Sequence, residues 1–133
     1  MSSYSLEVKK KTLKGIIICG AREGYIGNRE HSLSDVLGMV DGINKDRKSK
    51  DLPIPSCMVS EAILMGRSRD EDYRERIYKF DFSLSPRAKP ATVDTFYDTL
   101  VQYVDALGSQ LKQVRVYLEF DGDTYVFSKN IVD

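Results

Sequence analysis

The chain has 133 residues, 41% of them hydrophobic, with 20 basic and 20 acidic side chains. That length and composition suit one domain with its own packed core and exclude a disordered tail. A formal charge of zero argues against a dedicated nucleic-acid binder, which concentrates a basic excess on one face, and leaves self-association unopposed.

In chain order, "YSLEV" alternates, with Tyr4, Leu6 and Val8 in one register, and reads as a short edge strand or an ordered arm. The charged "KKKTLK" ends it, so residues 1–13 are set apart from a single domain over 14–133. "KGIIICGARE", residues 14–23, is a strand, because branching at Cβ suits a pleated chain better than a helix. Its unbroken apolar run implies a central strand buried on both faces. A glycine-punctuated loop follows, and a helix starts near Ser32 or Ser34. Leu33, Val36, Leu37, Val40 and Ile43 recur at helical spacing as one apolar stripe. "NKDRKSKDLPIP" ends that helix with charge and prolines.

A second strand is expected over 56–67, a charged hairpin loop at "RSRDEDYRER", and a third strand over 76–84. In the third, Tyr78, Phe80, Phe82 and Leu84 face one way and Lys79, Asp81 and Ser83 the other. Thr92 caps a second helix, whose stripe is Val93, Phe96, Tyr97, Leu100, Val104, Leu107 and Leu111. A final strand alternates Val114, Val116, Leu118 and Phe120 with Arg115, Tyr117, Glu119 and Asp121. "DGD" at 121–123 is a turn, and "TYVFS" has the pattern of a short returning strand.

The order βαββαβ places both helices on one face of a four-stranded sheet, an α+β fold with tautomerase-like or ferredoxin-like wiring and room for short extra strands at both ends. The opposite face is expected to carry Glu61, Lys79, Asp81, Arg115, Tyr117 and Glu119. A single-layer sheet with such a mixed face can gain by assembling, so a homo-oligomer is expected.

Cys19 and Cys57 sit in apolar runs and read as buried free thiols. Without a CxxC pair there is no zinc or redox signature, and neither a metal nor a cofactor is expected. No apolar run is long enough to span a membrane, and the start of the chain lacks a signal-peptide core, so a cytoplasmic location is expected.

The loop "GAREGYIGNREHS" gathers Arg22, Tyr25, Asn28, Arg29 and His31 at a strand end, where α/β proteins hold most sites. Two arginines and the backbone N–H groups of a helix start suit a small carboxylate or phosphate. An ordinary ordered loop is the alternative. His31, the only histidine, reads either as a surface residue near the helix start or as a general acid or base. Glu119, Asp121 and Asp123 read as turn chemistry, and the charged hairpin as a solvated, self-paired loop.

From Pro55 to Asn130 the layout resembles the second half of tautomerase-superfamily proteins, the hydroxymuconate-isomerase branch above all. The shared pieces are the long hairpin, the amphipathic helix "TVDTFYDTLVQYVDALGSQL" and the aliphatic strand with its short hairpin, "VRVYLEFDGDTYVF". The resemblance implies an N-terminal proline as catalytic base. This chain opens Met1-Ser2-Ser3-Tyr4 and has no proline before Pro53, so that activity is not carried over. No complete nucleophile–base pair appears elsewhere. The sequence therefore favours a non-catalytic binding or assembly module. The alternative is a tautomerase-like enzyme or a small-anion binder using residues 20–32.

Overall fold

The computed structural model describes residues 3–24, 29–85 and 91–129. Its three consecutive isoleucines lie at the middle of strand β1 (Lys14–Gly20). Helix α1 (Leu33–Ser49) starts at Ser32. The Ser32 hydroxyl accepts from the Asp35 N–H at 3.1 Å, and the Asp35 carboxylate accepts from the Ser32 N–H at 3.2 Å. This capping box satisfies donors that a helix start leaves over. Strands β2 (Ser56–Ser68) and β3 (Glu71–Ser83) follow, then α2 (Val93–Gln110) capped by Thr92, and β4 (Arg115–Phe120) and β5 (Asp123–Ser128).

The five strands form one antiparallel sheet in the order β2-β3-β1-β4-β5. β3 lies between β1 and β2, the split βαβ arrangement, so of the two wirings the element order allows, the pairing is the ferredoxin-like one. The sheet has one strand more than the expected four. Asp121 and Gly122 have φ of 52° and 84°, a two-residue turn whose twist matches paired strands, and it returns "TYVFS" onto β4 as a full partner. Residues 3–13 form no strand, so the addition is at the C-terminal end alone.

Alternation along each strand separates two faces. Ile17, Cys19, Tyr78, Phe80, Phe82, Val116, Leu118 and Phe120 are buried under both helices. The other face is open. Ile16 and Ile18 are only half-buried there, so β1 is central as expected but covered on one face rather than two. In α1 the buried row is Val36, Val40, Ile43 and Arg47. Leu33 and Leu37 are 38% and 46% exposed, because α1 meets the sheet and α2 along one line only.

Two further expectations are corrected. "RSRDEDYRER" is not a loop. β2 and β3 continue through it to a turn at Arg69 and Asp70, and the part beyond Ile77 outruns β1 as a two-stranded ribbon. Opposite charges sit across it, with Arg67 Nε 3.2 Å from Asp72, and Tyr73 lies over Gly66, where even a Cβ would collide with its ring. Glu61 is not on the open face, for it pairs with Tyr78 and shares the helix side. The open face also carries Leu64, Ile77 and Val126 and is more apolar than expected.

Cys19 is 1% exposed and Cys57 half-buried, and burial pushes both thiols up to about 12, with Asp81 adding to the effect at Cys57. A thiol held neutral in the folded state contributes stability in full below its ordinary value of 9.0. That contribution is lost as pH climbs from there toward about 12, since the unfolded chain sheds the proton first. Iodoacetamide at pH 8.5 is therefore expected to leave Cys19 unmodified in the folded protein and to alkylate it rapidly in urea, as mass spectrometry would show. Equal rates in both states would contradict the burial.

Candidate functional site

A cleft of about 510 Å³ opens on the uncovered sheet face. Its floor is Ile18 of β1, Ile77 of β3 and Tyr117 of β4, neighbours on the same side of adjacent strands. The ribbon forms one wall with Leu64, Tyr73, Arg74 and Glu75. Arg22 and Glu30 stand at the rim, and Arg115 closes the far side. Such a lining joins two exposed aromatic rings, aliphatic side chains, and charges of both signs.

The described ends of the loop after β1 are tied to each other beside this cleft. Arg22 and Glu30 form a β-bridge, the Glu23 N–H donates to the Arg29 carbonyl at 3.0 Å, and the His31 N–H donates to the Ala21 carbonyl at 2.8 Å. Gln113 ties the loop to the start of β4. Its Oε1 accepts from the Gly20 N–H at 2.8 Å, and its Nε2 donates to the carbonyls of Gly20, Arg22 and Leu111 at 3.1, 2.9 and 3.0 Å. Gly24, at φ +63°, takes the backbone into the left-handed region where glycine carries no penalty.

Beneath the loop, Arg76 links four groups. Its Nε donates to Glu61 at 2.7 Å and Nη1 to Glu30 at 3.0 Å. Nη2 reaches the Tyr78 hydroxyl at 3.1 Å, and that hydroxyl donates to the His31 carbonyl at 2.7 Å. Burial raises the Tyr78 phenol above its ordinary value, which keeps it a donor. The hydrogen bond that it donates to Glu61 pushes the Arg76 guanidinium further up.

The expected site residues separate into three groups. Arg22 reaches the cleft. Arg29 and His31 turn instead to Glu23, with Arg29 Nε at 3.8 Å and His31 Nε2 at 3.0 Å from the carboxylate, and Lys112 approaches it at 3.9 Å. Tyr25 and Asn28 lie outside the described residues, as does Asn130. His31 is buried at 3% exposure, where a surface position was one of its two readings, and its Nδ1 has no hydrogen-bond partner among the described residues. Arg29 and His31 thus turn to an acid of their own loop rather than to a point shared with Arg22. Sequence reasoning missed Tyr73, Glu75 and Gln113. The first two lay in a segment read as a loop, and nothing in the pattern marks Gln113.

Among the described residues no group of three or more His, Cys, Asp or Glu is placed to hold a metal. No described helix is long and apolar enough to cross a membrane.

No family model matches the sequence, and no curated protein matches it. Two solved structures have the same fold. One is a phage SAM lyase in complex with S-methyl-5'-thioadenosine, 16% identical with a TM-score of 0.60, covering 98% of this chain and 100% of that one. The other is a phage SAM lyase in the apo state, also 16% identical with a TM-score of 0.61, covering 97% of this chain and 100% of that one. At this identity the likeness is one of fold.

Proposed function

We propose that this chain binds a small adenosyl thioether or sulfonium compound in the open-face cleft and cleaves S-adenosylmethionine as a lyase. The observation that carries the reading is the end-to-end correspondence with a SAM lyase whose structure holds S-methyl-5'-thioadenosine. The cleft's chemistry supports it. Tyr73 and Tyr117 can stack a purine, Arg22, Arg74 and Arg115 suit a carboxylate, and Glu75 and Glu30 suit a sulfonium.

The absence of a nucleophile–base pair in the cleft is no obstacle to this reaction. When the bond from sulfur to the amino-acid chain breaks, sulfur keeps both electrons and departs as a neutral thioether. Such a leaving group needs no acid, and the carbon it leaves takes its new bond from the carboxylate oxygen of the same substrate, so that a lactone closes as the thioether departs. The protein's task is then to hold one substrate conformation and exclude water, which an ordered cleft can do. This reading ranks above the non-catalytic module that the sequence favoured.

Calorimetric titration with S-methyl-5'-thioadenosine and chromatographic assay of S-adenosylmethionine turnover test it together. Binding and release of methylthioadenosine are expected, and Tyr117→Ala should weaken binding roughly tenfold through lost stacking. Binding without turnover would return the chain to the non-catalytic module. Neither binding nor turnover at millimolar ligand would sink the proposal. Thermal stabilisation by small carboxylates or phosphates instead, abolished in Arg29→Ala, would favour the anion site on residues 20–32.

A further inference from the structure

The arm before β1 and the outer edge of β5 have complementary patterns. β5 ends the sheet, and its outer edge has no neighbouring strand among the described residues. On the open face it shows Val126, which pairs with Tyr117 and is 56% exposed. At its start stand Asp121 and Asp123, both exposed. The arm alternates Tyr4, Leu6 and Val8, with Leu6 83% exposed, and then runs into Lys9, Lys10 and Lys11. Laid antiparallel along β5 with Leu6 opposite Val126, it brings Val8 opposite Thr124, Lys9 opposite Asp123 and Lys11 beside Asp121. In this register Leu6 meets Val126 and both Lys–Asp pairs form at once, whereas a one-residue slip in either direction keeps a single pair, through Lys10.

The arm cannot make this contact with its own sheet. The Leu13 carbonyl accepts from the Leu84 N–H at 2.9 Å, which fixes the end of the arm in line with β1. A strand outside β5 would lie three strand spacings from β1, about 14 Å. The two residues from Leu13 back to Lys11 reach only ~7 Å. β2, the other edge, offers no match, for its one acid, Glu61, is bound to Arg76.

We propose that residues 4–11 add as a sixth strand to the β5 edge of a second copy of this chain, with Lys9 facing Asp123 across the junction. Edge addition of this kind gains main-chain hydrogen bonds and removes an exposed sheet edge. Exchange of an arm between identical copies is an accessible route to assembly. This surface adjoins the ligand cleft, since Val126 pairs with Tyr117, but shares no lining residue with it.

Sedimentation velocity over a concentration series tests the proposal on the full chain. The parent is expected to associate, and a chain starting at Thr12 to associate at least about tenfold more weakly. Lys9→Asp should self-associate far more weakly than the parent, and so should Asp123→Lys. Mixing those two variants should restore assembly, because each arm then meets an edge of opposite charge. The altered side chains are exposed, so far-UV circular dichroism should match the parent. A parent that stays monomeric at every concentration would overturn the proposal. So would an arm-deleted chain that associates as the parent does, or a mixture no better than its components.

Discussion

Phe80→Ala is expected to lower the free energy of unfolding by about 3–5 kcal/mol. Phe80 is 0% exposed at the middle of β3, with Val59 of β2 and Ile17 of β1 as its cross-strand partners. Removing the ring loses its transfer from water and leaves a void, because the strands on either side are fixed by hydrogen bonds and cannot close in. A domain of this size typically has only ~5–15 kcal/mol in total, so the variant should unfold at far lower urea concentration. Tyr117→Ala, on the open face and 40% exposed, is the control and should cost under about 1 kcal/mol. Equal losses for the two would mean that the open face is as covered as the helix side, and the cleft as described would not exist.

The same asymmetry explains what was legible in the sequence. Phe80 and Phe82 alternate with Lys79 and Asp81, so a buried face and a wet face can be read directly from spacing. Leu100, Val104, Leu107 and Leu111 likewise dictate which side of α2 meets the sheet. Pairing order was not legible, because alternation specifies which face of a strand is buried and says nothing of its neighbour. The ribbon was missed for a related reason. Its stability comes from cross-strand pairs such as Arg67 with Asp72 and Gly66 under Tyr73, and those pairs exist only once the register is known. Glu61 was assigned to the wrong face by the same gap, since its side is fixed by pairing with Tyr78.

The candidate site was legible in location and misread in detail. Arg22, Gly24 and Glu30, which flank the middle of the loop after the isoleucine strand, do line the cleft. The expected convergence of Arg22, Arg29 and His31 on one anion overlooked Glu23 within the same loop. A carboxylate 3.0 Å from the Nε2 of a buried histidine occupies that nitrogen from inside the chain, so it is not turned to an outside anion. Gln113 shows the limit of pattern reading. Two of its four hydrogen bonds span 93 positions of sequence and a third spans 91, and a glutamine before a strand has no periodic signature.

Arg47 is the second side chain whose replacement should have a large effect, and the replacement chosen should decide its size. It read as part of a charged helix end, yet it is 5% exposed. Its Nε donates to the Pro53 carbonyl at 2.7 Å, its Nη1 to Gln102 Oε1 at 2.6 Å, and the guanidinium lies 4.8 Å from the centre of the Tyr103 ring. Both acceptors are neutral, and Nη2 has no hydrogen-bond partner among the described residues. Arg47 therefore joins α1, the segment before β2, and α2 at the cost of burying an unneutralised charge. Arg47→Ala removes the stem, opens a cavity and takes the donor from two part-buried hydrogen bonds, and should cost about 2–4 kcal/mol, chiefly through lost packing. Arg47→Met keeps the stem against Tyr103 and removes the charge, so its cost should be smaller by about 1–2 kcal/mol. Urea unfolding of both variants separates the contributions. If methionine proves as costly as alanine, the guanidinium's hydrogen bonds outweigh its packing, and the joint between the helices is polar rather than apolar in origin.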